Sequence, residues 1–486
     1  MNPRASNIVR SHWSISRLRM PAIALCLVSL LPRLSSAQAN PSEPKSLTLD
    51  AAVSYALEHY PAVRASLEEL RAAHAGVSLA RAQYLPSLSG VYQDSRATQN
   101  QVPGIWMGTP ITPTVEGPTG GSSGQSYWGS QAAALFSWEP FDFGLRGSMV
   151  GQAKSTEMKS AADVARTRLE VASAVANYYL MATAAGLGTK AAQANLNRWQ
   201  VVNQSVHTLV DNQLRPGVDA SRADAQLALA KTQLYQAQHM EQSSLATLAA
   251  LMGIAGSELI LSPGPLLNLP SSDSLPNLAA AENPVARQQM ATVQQIQAQE
   301  KTLSKTDYPR LYLQGEGFAR GSEVPANNSY IGNWNGLAPA RGNWVAGITV
   351  LFPNVFDFKN LSVQKQVAKA HENSQRALYD KTVQDLTGQA QAALAALKSA
   401  KLVAEQTPVE LTAARQSESQ SRARYDASLT TIVEVADAEG LLARAEADDA
   451  IARMNVWRSL FGVAAAQGDL QPFLDMLKVP AHAGPQ

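Results

Sequence analysis

The sequence predicts a mainly α-helical chain that lends four β-strands to a membrane barrel and packs the rest as long antiparallel coiled-coil helices. Three observations lead there. A series of landmarks occurs twice, segments of strand length alternate apolar residues between terminal tryptophans, and each half holds an alanine-rich helical stretch far longer than an ordinary globular helix.

At the N-terminus, Arg4, Arg10, Arg17 and Arg19 precede an apolar run from Ile23 to Leu31, and small residues follow at Ala37 and Ala39. This is the pattern of a secretory signal peptide over residues 1–39, cleaved about Ala37 or Ala39. Its apolar core is about half of the roughly 20 residues that a membrane-spanning helix needs. The one cysteine, Cys26, falls inside it, so the mature chain would hold no disulfide and no cysteine metal site. Cys26 as an acylated N-terminus is the alternative; bulky Leu25 before it and the apolar residues Leu27, Val28 and Leu30 after it speak against that. Removing five arginines, counting Arg33, and no acid takes the formal charge from +1 to −4. No basic footprint for nucleic acid remains. No later apolar stretch reaches the ~20 residues of a membrane helix, so any crossing must use strands.

"HYPAVRASLEELRAA" from His59 is answered by "ENPVARQQMATVQQI" from Glu282, and "YLPSLSGVY" from Tyr84 by "YPRLYLQGEGF" from Tyr308. "YWGSQAAALFSWEPFDFG" pairs with "NWVAGITVLFPNVFDFKN", and "ADAQ" at Ala223 with "ADAE" at Ala436, which sets Asp224 against Asp437. A turn-rich seam separates the halves. The expected organisation is therefore a first repeat over 47–262, a linker over 263–276, a second repeat over 277–468 and a flexible tail over 469–486, the repeats forming one interleaved domain.

Strands are expected at about Ser87–Ser95, Trp128–Trp138, Arg310–Arg320 and Trp344–Phe352. Trp128, Ser130, Ala132, Ala134, Phe136 and Trp138 share one face, as do Trp344, Ala346, Ile348, Val350 and Phe352, while Gly347 and Thr349 suit a wet lumen. Ten residues tilted by ~40° rise roughly 25 Å, the apolar height of an outer-membrane barrel between aromatic girdles. A soluble sheet with Trp128, Trp138 and Trp344 in its core fits the strands as well. The Gly-, Pro-, Asn- and Ser-rich segments 97–125 and 321–342 favour the barrel, whose external loops are long. Four strands cannot close a membrane barrel, so copies must share one: two would give eight strands, three would give twelve.

Helices are expected from about Met149 to Leu214 and Lys359 to Ala427, each roughly 100 Å long, with a kink at Pro408. Such length requires a partner along its course, as in coiled-coil packing.

Taken together, "LTLDAAVSYALEHYP", "YLPSLS", "FDFG", "WVAGITVLFPNVFDF" and "RYDASLTTIVEVADAEGLLARAEA" resemble the TolC-like outer-membrane efflux proteins, across nearly the whole mature chain. The resemblance implies a homotrimer, with a twelve-stranded barrel embedded in outer-membrane lipid and a periplasmic α-barrel below it. It implies a passive exit duct that works with a periplasmic adaptor, or membrane fusion, protein and an inner-membrane pump. By matching positions it makes Glu434 and Asp437 pore-facing carboxylates at the periplasmic mouth and Tyr425 one of the contacts holding that mouth shut. An arginine found in relatives falls on Thr430 here.

From the residues alone, Glu434 has a plainer role: Thr431 and Glu434 have the spacing of a capping box, with Asp437 exposed in the second turn. A ring of six carboxylates in a trimer would instead favour cations and bind multivalent ones. The histidines have no ligand spacing and no nucleophile motif stands out, so neither cofactor, metal nor enzymatic activity is expected. The reading from another class is a soluble periplasmic coiled-coil adaptor or scaffold.

Overall fold

The computed structural model describes residues 47–98, 126–270, 276, 278–323, 334–353 and 358–478, all within one compact unit. Residues 1–39, expected to be a signal peptide and including Cys26, lie outside the described residues, as do 99–125 of the first loop segment and 324–333 of the second.

The first half runs α1 (Leu49–His59), α2 (Pro61–Ala82), β1 (Ser87–Thr98), β2 (Ser126–Phe141), α3 (Leu145–Asp211) and α4 (Gly217–Leu251). The second runs α5 (Pro284–Leu303), β3 (Arg310–Ser322), β4 (Arg341–Leu351), α6 (Phe358–Asp426), α7 (Ile432–Gln467) and the short α8 (Gln471–Met476). Thr48 caps α1 by accepting the Ala51 N–H at 3.3 Å, and α2 and α5 each open on a proline, whose missing N–H costs nothing in a first turn.

At 67 and 69 residues, α3 and α6 each run about 100 Å. Each packs against the helix that follows it, α3 on α4 and α6 on α7, and α3 also meets α2, α5 and α7. Helix α6 continues unbroken through Pro408, so the kink expected there does not interrupt it. Beside the proline the Thr407 hydroxyl donates to Asp449 at 3.3 Å, and Asp449 pairs with Arg453 at 2.9 Å.

The main core lies where α1, α3, α7 and α8 meet. Tyr179, fully buried, places its hydroxyl 2.8 Å from the Leu47 carbonyl and 3.0 Å from that of Ser262, which ties α3 to both ends of the first half. Residues 469–478 are not the flexible tail expected of them. Phe473 is fully buried against Trp457 and Phe461, an apolar anchor too short for periodicity to reveal. Only 479–486 of that segment lie outside the described residues.

All four strands form one antiparallel sheet in the order β1-β2-β3-β4. Leu88, Phe136, Gly315 and Ala346 stand in one cross-strand row, and Ser87, Ser137, Gln314 and Gly347 in the next. Because partners across a ladder share a face, the apolar faces read separately in β2 and β4 lie on the same side. The opposite side carries Gln93, Gln131, Gln314, Glu316, Arg320, Asn343 and Thr349. Strands β1 and β4 each keep one edge without a partner among the described residues. No helix among them is long and apolar enough to cross a membrane.

The strand-to-helix junction explains "FDFG". Phe143 and Gly144 take positive φ (51° and 90°), and buried Asp142 accepts the Gly144 and Arg146 N–H groups at 3.0 and 2.6 Å and the Arg146 side chain at 2.8 Å. Burial pushes the Asp142 carboxyl up, but those donors outweigh it and hold it below its ordinary value.

Candidate functional site

Each long hairpin turns at its far end through the same motif. Gln213 (φ 59°) and Ser428 (φ 62°) occupy the left-handed position; Leu214 N–H donates to Leu209 and Leu429 N–H to Arg424, both at 2.8 Å. These bonds are the six-to-one closure that satisfies the last carbonyls of a helix. Superposed residue for residue, the turns set Asp219 against Glu434 and Asp224 against Glu439. The shared "ADA" text, which paired Asp224 with Asp437, is therefore two positions out of register.

A small core glues the two turns together. Tyr425, Ile432 and Val435 from the second hairpin pack with Trp199, Val202, Val206 and Ala223 from the first, all buried. Each large apolar side chain so buried contributes roughly 1.5–3 kcal/mol.

Tyr425 is 4% exposed and Thr430 8%, and the side-chain oxygens of both are buried without a hydrogen-bond partner. Burial raises the Tyr425 hydroxyl above its ordinary pKa, with Arg215 opposing and Asp219 and Asp426 assisting. The residue that joins the tips is Arg215, which sequence reasoning missed. Its guanidinium donates to the Tyr425 carbonyl at 2.7 Å and to that of Thr430 at 3.4 Å, and lies 4.3 Å above the Tyr425 ring. A cation on these terminal carbonyls is doubly favoured, by charge-assisted bonding and by the negative end of α6. In the superposed turns Arg215 takes the place of Thr430.

Glu434 and Asp437 are both exposed, on one face of the first turns of α7. Thr431 has the extended backbone of an N-cap, but its side chain makes no capping hydrogen bond. Glu434 instead lies 3.6 Å from Arg424, a half-exposed pair of small energetic weight. The capping-box hydrogen bond from Thr431 is thus not formed, and both carboxylates are solvent-exposed.

About 10–20 Å up the hairpins, at 1.5 Å per residue, a second ionic link joins the same two hairpins. Arg198 of α3 donates to Glu439 at 2.9 Å and to Glu446 at 3.0 Å, both on α7. Glu439 is fully buried and Glu418 of α6 faces it. Burial pushes the Glu439 carboxyl up, Arg198 draws it back, and the neighbouring carboxyl of Glu418 pushes it up again.

At the sheet, Trp128, Trp138 and Trp344 all lie on the apolar face, Trp128 and Trp138 toward opposite ends of β2 and Trp344 in the row of Gly317 and Ala134 between them. Trp344 is 81% exposed; Trp128 is half-buried, stacked on Trp334 at 6.1 Å. Trp138 donates its indole N–H to the Tyr84 carbonyl at 3.1 Å. Phe352, exposed, falls one residue beyond β4 rather than within it.

The family model described as outer membrane efflux protein matches residues 52–254 and 275–469. The protein CyaE of Bordetella pertussis is 29% identical over 228 residues, which cover 45% of this chain and 43% of CyaE; the match thus spans less than half of that relative. Among solved structures, the Campylobacter jejuni CmeC outer membrane channel is 15% identical with a TM-score of 0.71, over 93% of this chain and 94% of that one. The Neisseria gonorrhoeae MtrE outer membrane channel, in its open state, is 19% identical with a TM-score of 0.69, over 87% and 89%. The chain belongs to the outer membrane efflux protein family: it is an outer-membrane protein whose helical part stands in the periplasm.

Proposed function

We propose that three copies join their sheets, β4 of one to β1 of the next, into a twelve-stranded barrel, and that their hairpins form an α-barrel continuing the bore into the periplasm. The observation that carries this reading is the two-faced sheet, both of whose edges are open among the described residues. In hydrocarbon an unpaired edge is forbidden, and joining like chains satisfies it. The matching order of elements and the matching turns support an internal two-fold repeat. The assembly serves as a passive exit duct for small molecules, coupled to a periplasmic adaptor protein and an inner-membrane pump that supply energy and most of the choice of cargo.

At the periplasmic mouth Glu434 and Asp437 of three chains form a carboxylate ring, with Tyr425 and Thr430 behind it in the closed tip. A ring of this kind selects cations and holds multivalent ones in the pore. In planar bilayers Glu434→Ala with Asp437→Ala is expected to lower cation selectivity and to weaken block by multivalent cations. Unchanged selectivity and block would remove these residues from the gate.

A further inference from the structure

Just below the sheet, at its periplasmic end, aromatic side chains give way to lysines. Phe141, at the end of β2, packs edge-on against Phe143 at 4.6 Å, and Phe143 in turn against Tyr308 at 6.3 Å, two positions before β3. All three rings are exposed by about 40–50%. Aromatic side chains exposed at strand ends mark the level where hydrocarbon meets headgroups. Lys305 stands beside them, its ammonium 4.5 Å from the Tyr308 ring.

Immediately beneath lies a groove of about 500 Å³ between the turn at Asp307 and the start of α6, lined by Asp307, Leu361, Ser362, Lys365, Gln366 and Lys369. Residues 361, 362, 365, 366 and 369 share one helical face. Helical side chains lean toward the N-terminus, and α6 has its N-terminus at the membrane, so Lys365 and Lys369 lean toward the bilayer. Lys365 lies about 10 Å along α6 and a headgroup layer is roughly 5–7 Å deep on each side, so the Lys365 stem spans the difference, while Lys369, about 16 Å along, reaches only a phosphate drawn down into the groove by Lys365. Two carboxylates compete for these amines. Lys365 sits 3.6 Å from Asp307, both more than a third exposed, and Lys369 bonds Glu372, which is also held by Arg376 and Gln297. The first pair is long and solvated, so a phosphate can replace its carboxylate at little cost.

We propose that this groove binds the headgroup phosphate of an anionic glycerophospholipid from the periplasmic leaflet, with Lys365 and Lys369 on the phosphate, Ser362 donating its hydroxyl, and the acyl chains rising past Phe141, Phe143 and Tyr308. The inference rests on the membrane reading of the sheet. Its chemistry matches the basic pockets beside membrane segments that hold anionic headgroups, where each lysine is worth about a fivefold preference.

The test uses the full assembly in nanodiscs of equimolar phosphatidylglycerol and phosphatidylcholine, extracted in mild detergent, with the retained lipid counted by mass spectrometry. The protein is expected to retain phosphatidylglycerol about fivefold or more over phosphatidylcholine. Lys365→Ala with Lys369→Ala should return the ratio to that of the bulk lipid, and Lys365→Arg with Lys369→Arg should preserve it. Enrichment that survives in the alanine variant, or that millimolar inorganic phosphate abolishes, would overturn the lipid site. So would insertion into the discs without any enrichment. Failure to enter the discs at all would overturn the membrane reading and the site with it.

Discussion

Ala346→Arg is expected to block assembly into the outer membrane, whereas Gly347→Arg, one residue along the same strand, should leave it near normal. Ala346 lies midway along β4, exposed, in a row with Gly315, Phe136 and Leu88 on the apolar face. An arginine facing lipid at mid-depth costs about 2–4 kcal/mol, and a trimer would bear it three times. Gly347 belongs to the row of Gln314, Ser137 and Ser87, and a β-carbon there meets nothing within 4 Å. Refolding of each variant into lipid vesicles, followed by denaturant titration, reads the difference directly. Equal tolerance of both substitutions would mean that the two faces of the sheet do not separate lipid from lumen.

Arg198→Ala is expected to weaken the link between the two hairpins by about 3–5 kcal/mol, because it strands the fully buried Glu439 carboxylate. Adding Glu439→Gln to that variant should restore much of the loss, since an amide does not need the cation. Hydrogen exchange across the first half of α7 measures the local opening free energy. Acid provides an independent check with a definite sign. Burial raises the Glu439 pKa in the folded chain above the ordinary carboxylate value of about 4.3. Stability from this group is therefore fully present below that ordinary value and is lost as pH rises through the raised one. Arg198→Ala removes the charge that draws the pKa down, so its protection should recover on acidification more than that of the unaltered protein. Protection unchanged by Arg198→Ala would deny the link any role at the tip.

Much of the architecture was legible because it follows from period and length. Alternation between Trp128 and Trp138 and between Trp344 and Phe352 found β2 and β4 and the side each would present, and proline spacing found α3 and α6 to within a few residues. The reading as a soluble adaptor or scaffold gives way to membership of an outer-membrane family. The residues of the proposed gate were legible only in part. Glu434 and Asp437 do share an exposed face, yet Arg215 and Arg198 went unseen, because each acts on residues more than two hundred positions away that only packing brings near. Arg215 left one trace: "LRPG" ends the first hairpin where "LTT" ends the second, and alignment on the turns rather than on "ADA" would have set Arg215 opposite Thr430. Phe473 was missed for another reason, since six helical residues are too few to show a period.

All of this depends on like chains completing one barrel, because a four-stranded sheet with two open edges cannot stand alone in lipid. Native mass spectrometry of the protein released from outer membranes in mild detergent counts the copies. Three chains of the mature mass in one complex is the predicted result; a stable monomer, with no larger species after crosslinking in the membrane, would contradict it.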